Sequence, residues 1–152
     1  IPGLRRGEAT LRVIAGSAYG LTSPVQTRSP MCFVDVRLPQ GAALALPREP
    51  REPRELAAYV VEGAIRCGAQ HAAVGRMLVF AAGADATMTA IADSHVVLVG
   101  GAALDGERHI DWNFVSSSVD RLAQARDDWR AGRFPALPGD DGEPVPYPRR
   151  RS

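Results

Sequence analysis

Lysine is missing from this chain: all 18 basic residues are arginine, a bias we attribute to coding composition and not to function. Net charge is nearly missing too, at +1, which excludes strong steering toward nucleic acid or a membrane surface. No apolar run approaches the ~20 residues that span a bilayer, and no signal-peptide pattern opens the chain, so the expected compartment is the cytoplasm. Cysteine is scarce. Cys32 and Cys67 both sit in apolar, strand-like runs, which argues against a disulfide framework and predicts buried, reduced thiols. Histidine is scarce as well: His71, His95 and His109 are far apart, and nothing in their spacing gathers the converging donors a metal needs.

What is present suits an ordinary globular protein. The 152 residues are 45% apolar and 23% charged, enough for one domain that buries roughly two-thirds of its unfolded surface. The chain opens on Ile1-Pro2-Gly3 without an initiator methionine, and we expect a start inside a longer protein, at a linker. The expected organisation is a linker and first strand over 1–29, a barrel core over 30–101, an extension with a helix over 102–134 and a Pro/Gly-rich tail over 135–152.

Alternating apolar residues mark the strands. Leu11, Val13 and Ala15 suggest the first, broken at Gly16 to Gly20. Met31 to Leu38 is the clearest: Cys32, Val34, Val36 and Leu38 share one face, with Asp35 and Arg37 on the other. A third is expected at Ala42 to Leu46. Pro47 to Arg54 alternates proline with charge and cannot pair as a central strand, because proline lacks the donor; an exposed loop at the barrel mouth is expected. Leu56 to Glu62 and Ala64 to Cys67 read as a hairpin about Gly63, with another turn at Gly68-Ala69. Met77 to Phe80, Ala86 to Ile91 and Ser94 to Val99 read as a continuing meander that ends at Gly100-Gly101. Short strands at this spacing favour an antiparallel sandwich or barrel. Farther on, Ser117 or Ser118 can cap a helix with Asp120 in its first turn, Leu122, Ala125 and Trp129 on one face, and Gly132 as its stop.

The glycines Gly41, Gly63, Gly75 and Gly83 resemble the turn positions in the two signature motifs of the cupin superfamily. Counted from them, Leu56 stands where the first motif has glutamate, and residues around Glu49 to Glu52 stand where it has histidines. Ala81 and Ala86 take the proline and histidine places of the second motif. A shift of one residue offers Glu55, with no histidine beside it. The turn glycines are kept and the ligands are not.

Longer segments sharpen the resemblance. Arg12-Val13-Ile14-Ala15-Gly16 and Ser23-Pro24-Val25 resemble the linker into the second half of pirins. Asp35 to Leu38, Tyr59 to Gly63 and Val99 to Gly101 are similar to the body of the pirin C-terminal cupin. Trp112 to Ser118 with Asp128 to Phe134 resemble the closing segment of a bacterial pirin subgroup. The resemblance implies a mainly β, cupin-type antiparallel barrel (a double-stranded β-helix, or jelly roll) followed by one C-terminal helix. Pirins are bicupins in which the N-terminal cupin holds an iron-type metal and the C-terminal cupin usually holds none. It follows that no metal ligand or catalytic residue carries over to this chain, and that iron or another divalent metal belongs to an N-terminal cupin outside it.

Three functional expectations follow. The chain is a metal-free C-terminal cupin domain packing on a metal-bearing N-terminal cupin; or it is part of a quercetin 2,3-dioxygenase-type oxygenase; or it is a transcriptional co-regulator or protein-interaction module. Candidate pocket or interdomain contacts are Tyr59, Trp112, Asn113, Phe114 and Trp129. Tyr59 is placed facing the barrel interior, and Trp112 and Phe114 are read as anchoring the C-terminal helix on the barrel or on the missing partner domain. His109, Asp111 and Ser116 to Ser118 lack the strand–turn–helix elbow of a hydrolase, and the serines have sufficient work as caps. Arg149 to Arg151 read as a solvated end.

Overall fold

Strict alternation over Met31–Leu38 produces the strand it predicts. In a computed structural model that describes residues 1–47, 54–81, 83–136, 138–139, 142–143 and 145–148, Cys32, Val34, Val36 and Leu38 are all buried along it. In chain order the strands are β1 (Gly3–Arg6), β2 (Ala9–Ala18), β3 (Leu21–Thr22), β4 (Met31–Leu38), β5 (Ala43–Ala45), β6 (Arg54–Glu62), β7 (Ala64–Cys67) and β8 (Gln70–Ala73). They continue with β9 (Met77–Phe80), β10 (Thr87–Ala90), β11 (Ser94–Ala102), β12 (His109–Asp111) and β13 (Phe114–Ser116), and one helix follows, α1 (Val119–Arg130).

Residues 1–103 form one compact unit built from two antiparallel sheets. The larger runs β1-β2-β4-β11-β6-β9, with β3 paired to β2; the smaller runs β5-β10-β7-β8. From β4 to β11 the chain passes back and forth between them: β4, β6, β9 and β11 belong to the larger sheet, and β5, β7, β8 and β10 to the smaller. This is the jelly-roll winding expected of a cupin barrel. One apolar cluster lies between the sheets, with Leu11, Val34, Val36, Val60, Val96 and Leu98 from the larger and Leu44, Ile65 and Met88 from the smaller. Both cysteines are thiols, Cys32 in this core and Cys67 half-buried.

Two expectations about connection are corrected. Glu62-Gly63 is not a hairpin turn: β6 pairs with β11 and β9, while β7 pairs with β10 and β8. Nor are β9, β10 and β11 a meander, since β10 lies in the other sheet from the strands on either side of it. A glycine turn announces a change of direction, but it carries no information about which sheet receives the next strand. Gly63 has φ +76°, and a Cβ there would stand 2.2 Å from the Asp93 carbonyl oxygen; only glycine lets the chain cross so close to the start of β11. Nearby, Ser94 closes the crossing. Its buried hydroxyl accepts from the Ala64 amide at 3.1 Å and lies 2.7 Å from the Ala92 carbonyl.

The first strand also runs past its predicted break. β2 continues through Gly16 to Ala18, with a bulge between Val13 and Ala15; Gly16, at φ +68°, supplies the irregular backbone conformation without ending the pairing. Strands β1, β3, β8, β12 and β13 had no sequence signal strong enough to be predicted. The proline-rich stretch over 48–53 lies outside the described residues, as do the three terminal arginines.

Residues 104–152 form a second unit. Ser118 caps α1, its Oγ accepting from the Arg121 amide at 3.3 Å. Asp120 sits in the first turn and Gly132 follows the last at φ +66°, so the predicted capping signals act where they were read.

Candidate functional site

A cupin does chemistry inside its barrel, so the interior is the first place to test. Leu56 is buried on β6 and Ala86 packs against the same apolar cluster. Around them the side chains facing inward are Val34, Val36, Ala58, Val60, Ile65, Met88, Val96 and Leu98. An ion stripped of water there would meet aliphatic carbon in place of oxygen or nitrogen donors, a transfer that costs many kcal/mol. The donor set around Leu56 and Ala86 does not fit a divalent metal. Among the described residues no group of three or more His, Cys, Asp or Glu could hold one; the positions around Glu49 to Glu52 lie outside them.

The histidines are dispersed. His71 stands on β8 opposite Arg66, His95 on β11, and His109 on β12 in the second unit. His95 has the most organised surroundings. Its Nε2 lies 2.5 Å from Asp35 Oδ1, while Arg12 donates to Asp35 Oδ2 through Nε at 3.1 Å and Nη2 at 3.0 Å. Burial pushes the Asp35 carboxyl up, but the hydrogen bonds and charges of His95 and Arg12 outweigh it and hold the group below the usual carboxylate value. One row along, Arg37 pairs with Glu62 at 3.2 Å. These charges lie on the outer face of the larger sheet: Arg12, Asp35, Arg37 and His95 are opposite in parity to the core positions of their strands, and Glu62 pairs with His95 across a register shift in β6. Asp35 was legible as an outward residue; its partners, 23 and 60 positions away, were not.

Tyr59 also faces outward, which corrects its expected placement inside the barrel. Its neighbours Ala58 and Val60 are fully buried and Tyr59 is 38% exposed, as the two-residue period of a strand requires once Leu56 points inward. A recess of about 420 Å³ opens beside Gly16, Ser17, Thr22 and Met31, but no residue lining it is titratable. It has no acid or base to offer.

The remaining candidates gather within the second unit. Trp112, at φ +56°, forms the turn between β12 and β13. Its ring meets Phe114 at 5.7 Å, Trp129 at 5.1 Å and Tyr147 at 5.4 Å between centroids, and Phe134 stacks on Phe114 at 5.6 Å. Trp112, Phe114 and Trp129 therefore join α1 to the small hairpin. Asn113 lies beside Trp112 in the turn, and no side-chain contact assigns it a role. Tyr147, which sequence reasoning missed, donates to Asp111 Oδ1 at 2.6 Å, and that bond raises its phenol above the ordinary value. Trp129 Nε1 donates to the Val145 carbonyl at 2.8 Å, so this part of the tail lies against the helix. Asp111 is engaged by Tyr147 and Arg126, and Ser116 and Ser118 by backbone amides; no nucleophile–base pair forms.

Residues 33–135 match the family model of the pirin C-terminal cupin domain. A pirin-like protein of Caulobacter vibrioides is 40% identical over 148 residues, covering 97% of this chain and 50% of that protein. A Pseudomonas aeruginosa protein, provisionally named a quercetin 2,3-dioxygenase, is 28% identical over 97% of this chain and 49% of its own length. A crystal structure of a quercetin 2,3-dioxygenase from Acinetobacter baumannii superposes with TM-score 0.82 at 24% identity, over 99% of this chain and 50% of that one, and this likeness speaks to fold. The chain thus spans about half the length of the curated relatives it matches. On this evidence the chain belongs to the pirin family, and it is built as that family's C-terminal cupin domain.

Proposed function

We propose that this domain works without a metal of its own, as the packing partner of an N-terminal cupin that holds iron or another divalent metal. The observation that carries the reading is the barrel interior: Leu56 and Ala86 occupy places where a working cupin puts glutamate and histidine, within an aliphatic core. Such an interior gives a barrel rigidity and gives an ion no donors. Metal analysis of the purified chain tests it. The expected result is no stoichiometric iron, copper or zinc; one equivalent of any of them, lost when residues of this barrel are substituted, overturns the proposal.

The name of the Pseudomonas aeruginosa relative favours a second, compatible reading, in which the whole protein is a quercetin 2,3-dioxygenase-type oxygenase. The metal would supply the Lewis acid for that chemistry, and this domain would be required but insufficient.

A further inference from the structure

The prolines of Val145-Pro146-Tyr147-Pro148 carry no backbone donor, and each biases the residue before it toward an extended conformation. Such a segment makes a poor strand. What it offers a neighbour is carbonyl oxygen and the side chain that stands between the prolines. In the second unit this segment is seated on aromatic rings. Trp129 Nε1 donates to the Val145 carbonyl at 2.8 Å. The Tyr147 ring meets Trp112 edge-on at 5.4 Å between centroids, and the Arg130 guanidinium lies over it at 4.5 Å. The Tyr147 hydroxyl donates to Asp111 Oδ1 at 2.6 Å, and Arg126 lies 3.7 Å from the other oxygen of that carboxylate. Val145 itself is 64% exposed, so it is read through its backbone, whereas Tyr147 is read at its ring and its hydroxyl.

We infer that the Trp112–Trp129 surface is a recognition site for a proline-flanked tyrosine segment, filled here by the chain's own residues 145–148 and open to such a segment of another polypeptide when these leave. Aromatic-lined surfaces suit proline-rich segments, which are already extended and lose little freedom on binding. The seat is shallow. Among the described residues of the second unit only Leu122 is buried, so the segment is held by point contacts and can leave without opening a core. Residues 133–144 tether it to the end of α1, and a tether of that length gives an effective concentration on the order of a millimolar. Against an intrinsic Kd of about 0.1 mM, the resident segment keeps the site filled by about ten to one. The inference is independent of the metal-free reading of the barrel, since every residue in it belongs to the second unit.

The probe is a fluorescein-labelled peptide, Glu-Pro-Val-Pro-Tyr-Pro, with the sequence of residues 143–148, followed by anisotropy against the whole chain. Tyr147→Ala removes the resident ligand and leaves its seat, so this variant is expected to bind the peptide about tenfold more tightly than the unaltered chain. Tyr147→Phe keeps the ring and loses only the hydroxyl; its affinity should fall between the two, and it decides the question if Tyr147→Ala loses helix α1. Trp129→Phe, added to either variant, should weaken binding by about fivefold through loss of the indole donor. A peptide with alanine in place of its tyrosine should not bind. Equal affinity for the unaltered chain and Tyr147→Phe overturns the inference, as does affinity that ignores Trp129→Phe or the tyrosine of the peptide. So does absence of binding to Tyr147→Phe at millimolar peptide. A dimer in sedimentation that Tyr147→Ala dissolves puts a second copy's segment in the seat, and overturns the assignment of the resident ligand to the same chain.

Discussion

Asp35 shows how an outward-facing carboxylate becomes structural. Three donors converge on it, from Arg12 and His95, and hydrogen bonds to charged groups are worth about 1.5–3 kcal/mol each at most before desolvation is subtracted. Asp35→Asn is expected to cost about 1–2 kcal/mol in urea unfolding at pH 7, since the amide offers one acceptor where the carboxylate offers two. The pH dependence has a definite sign. The folded carboxyl titrates below its ordinary value of 3.8, so its contribution is complete above that pH and is lost as pH falls through the lower folded value. The gap between wild type and Asp35→Asn should therefore hold steady at neutral pH and close below 3.8; a gap that stays constant into acid contradicts the assignment. Leu56 gives the complementary case. Leu56→Glu restores the residue type that the cupin motif expects, yet it buries a carboxylate among aliphatic side chains. A loss of about 3 kcal/mol or more is expected in the same assay, with no metal bound in exchange. Rescue of stability by iron or zinc would reverse that conclusion.

At the scale of elements, the strands were legible wherever a full alternation was available, and their assignment to sheets was not. β4 emerged with its predicted ends because eight residues alternate without interruption. β8 is short and mostly exposed, and β12 is only three residues long, so no apolar period marks them. Tyr59 was misplaced for a related reason: the β6 run is apolar on both faces, and periodicity cannot tell inward from outward there. Pairing between strands distant in sequence, such as Ala57 with Val79 or Val60 with Val96, decides the rest, and sequence spacing is silent about it. The two turn glycines Gly41 and Gly63 separate these effects experimentally. Both have positive φ, but a Cβ at Gly41 meets nothing within 4 Å, whereas at Gly63 it meets the Asp93 carbonyl oxygen at 2.2 Å. Gly41→Ala should cost about 1–2 kcal/mol from backbone strain alone. Gly63→Ala should cost at least about 2 kcal/mol more, because the crossing between sheets must move. Equal costs in thermal melts would mean that the approach to Asp93 is not what holds Gly63.

For the whole molecule, the candidate site is legible mainly through Leu56 and Ala86 at the expected ligand positions, and the proposed reading puts the metal in an upstream cupin. An apolar barrel can contribute to an oxygenase by shape and rigidity, never by coordinating the reacting centre. If the intact protein is a quercetin 2,3-dioxygenase-type enzyme, oxygen uptake with quercetin should require the upstream cupin. This chain alone, with or without added iron, should show only the background rate. Turnover by the isolated chain would relocate the reacting centre to this barrel.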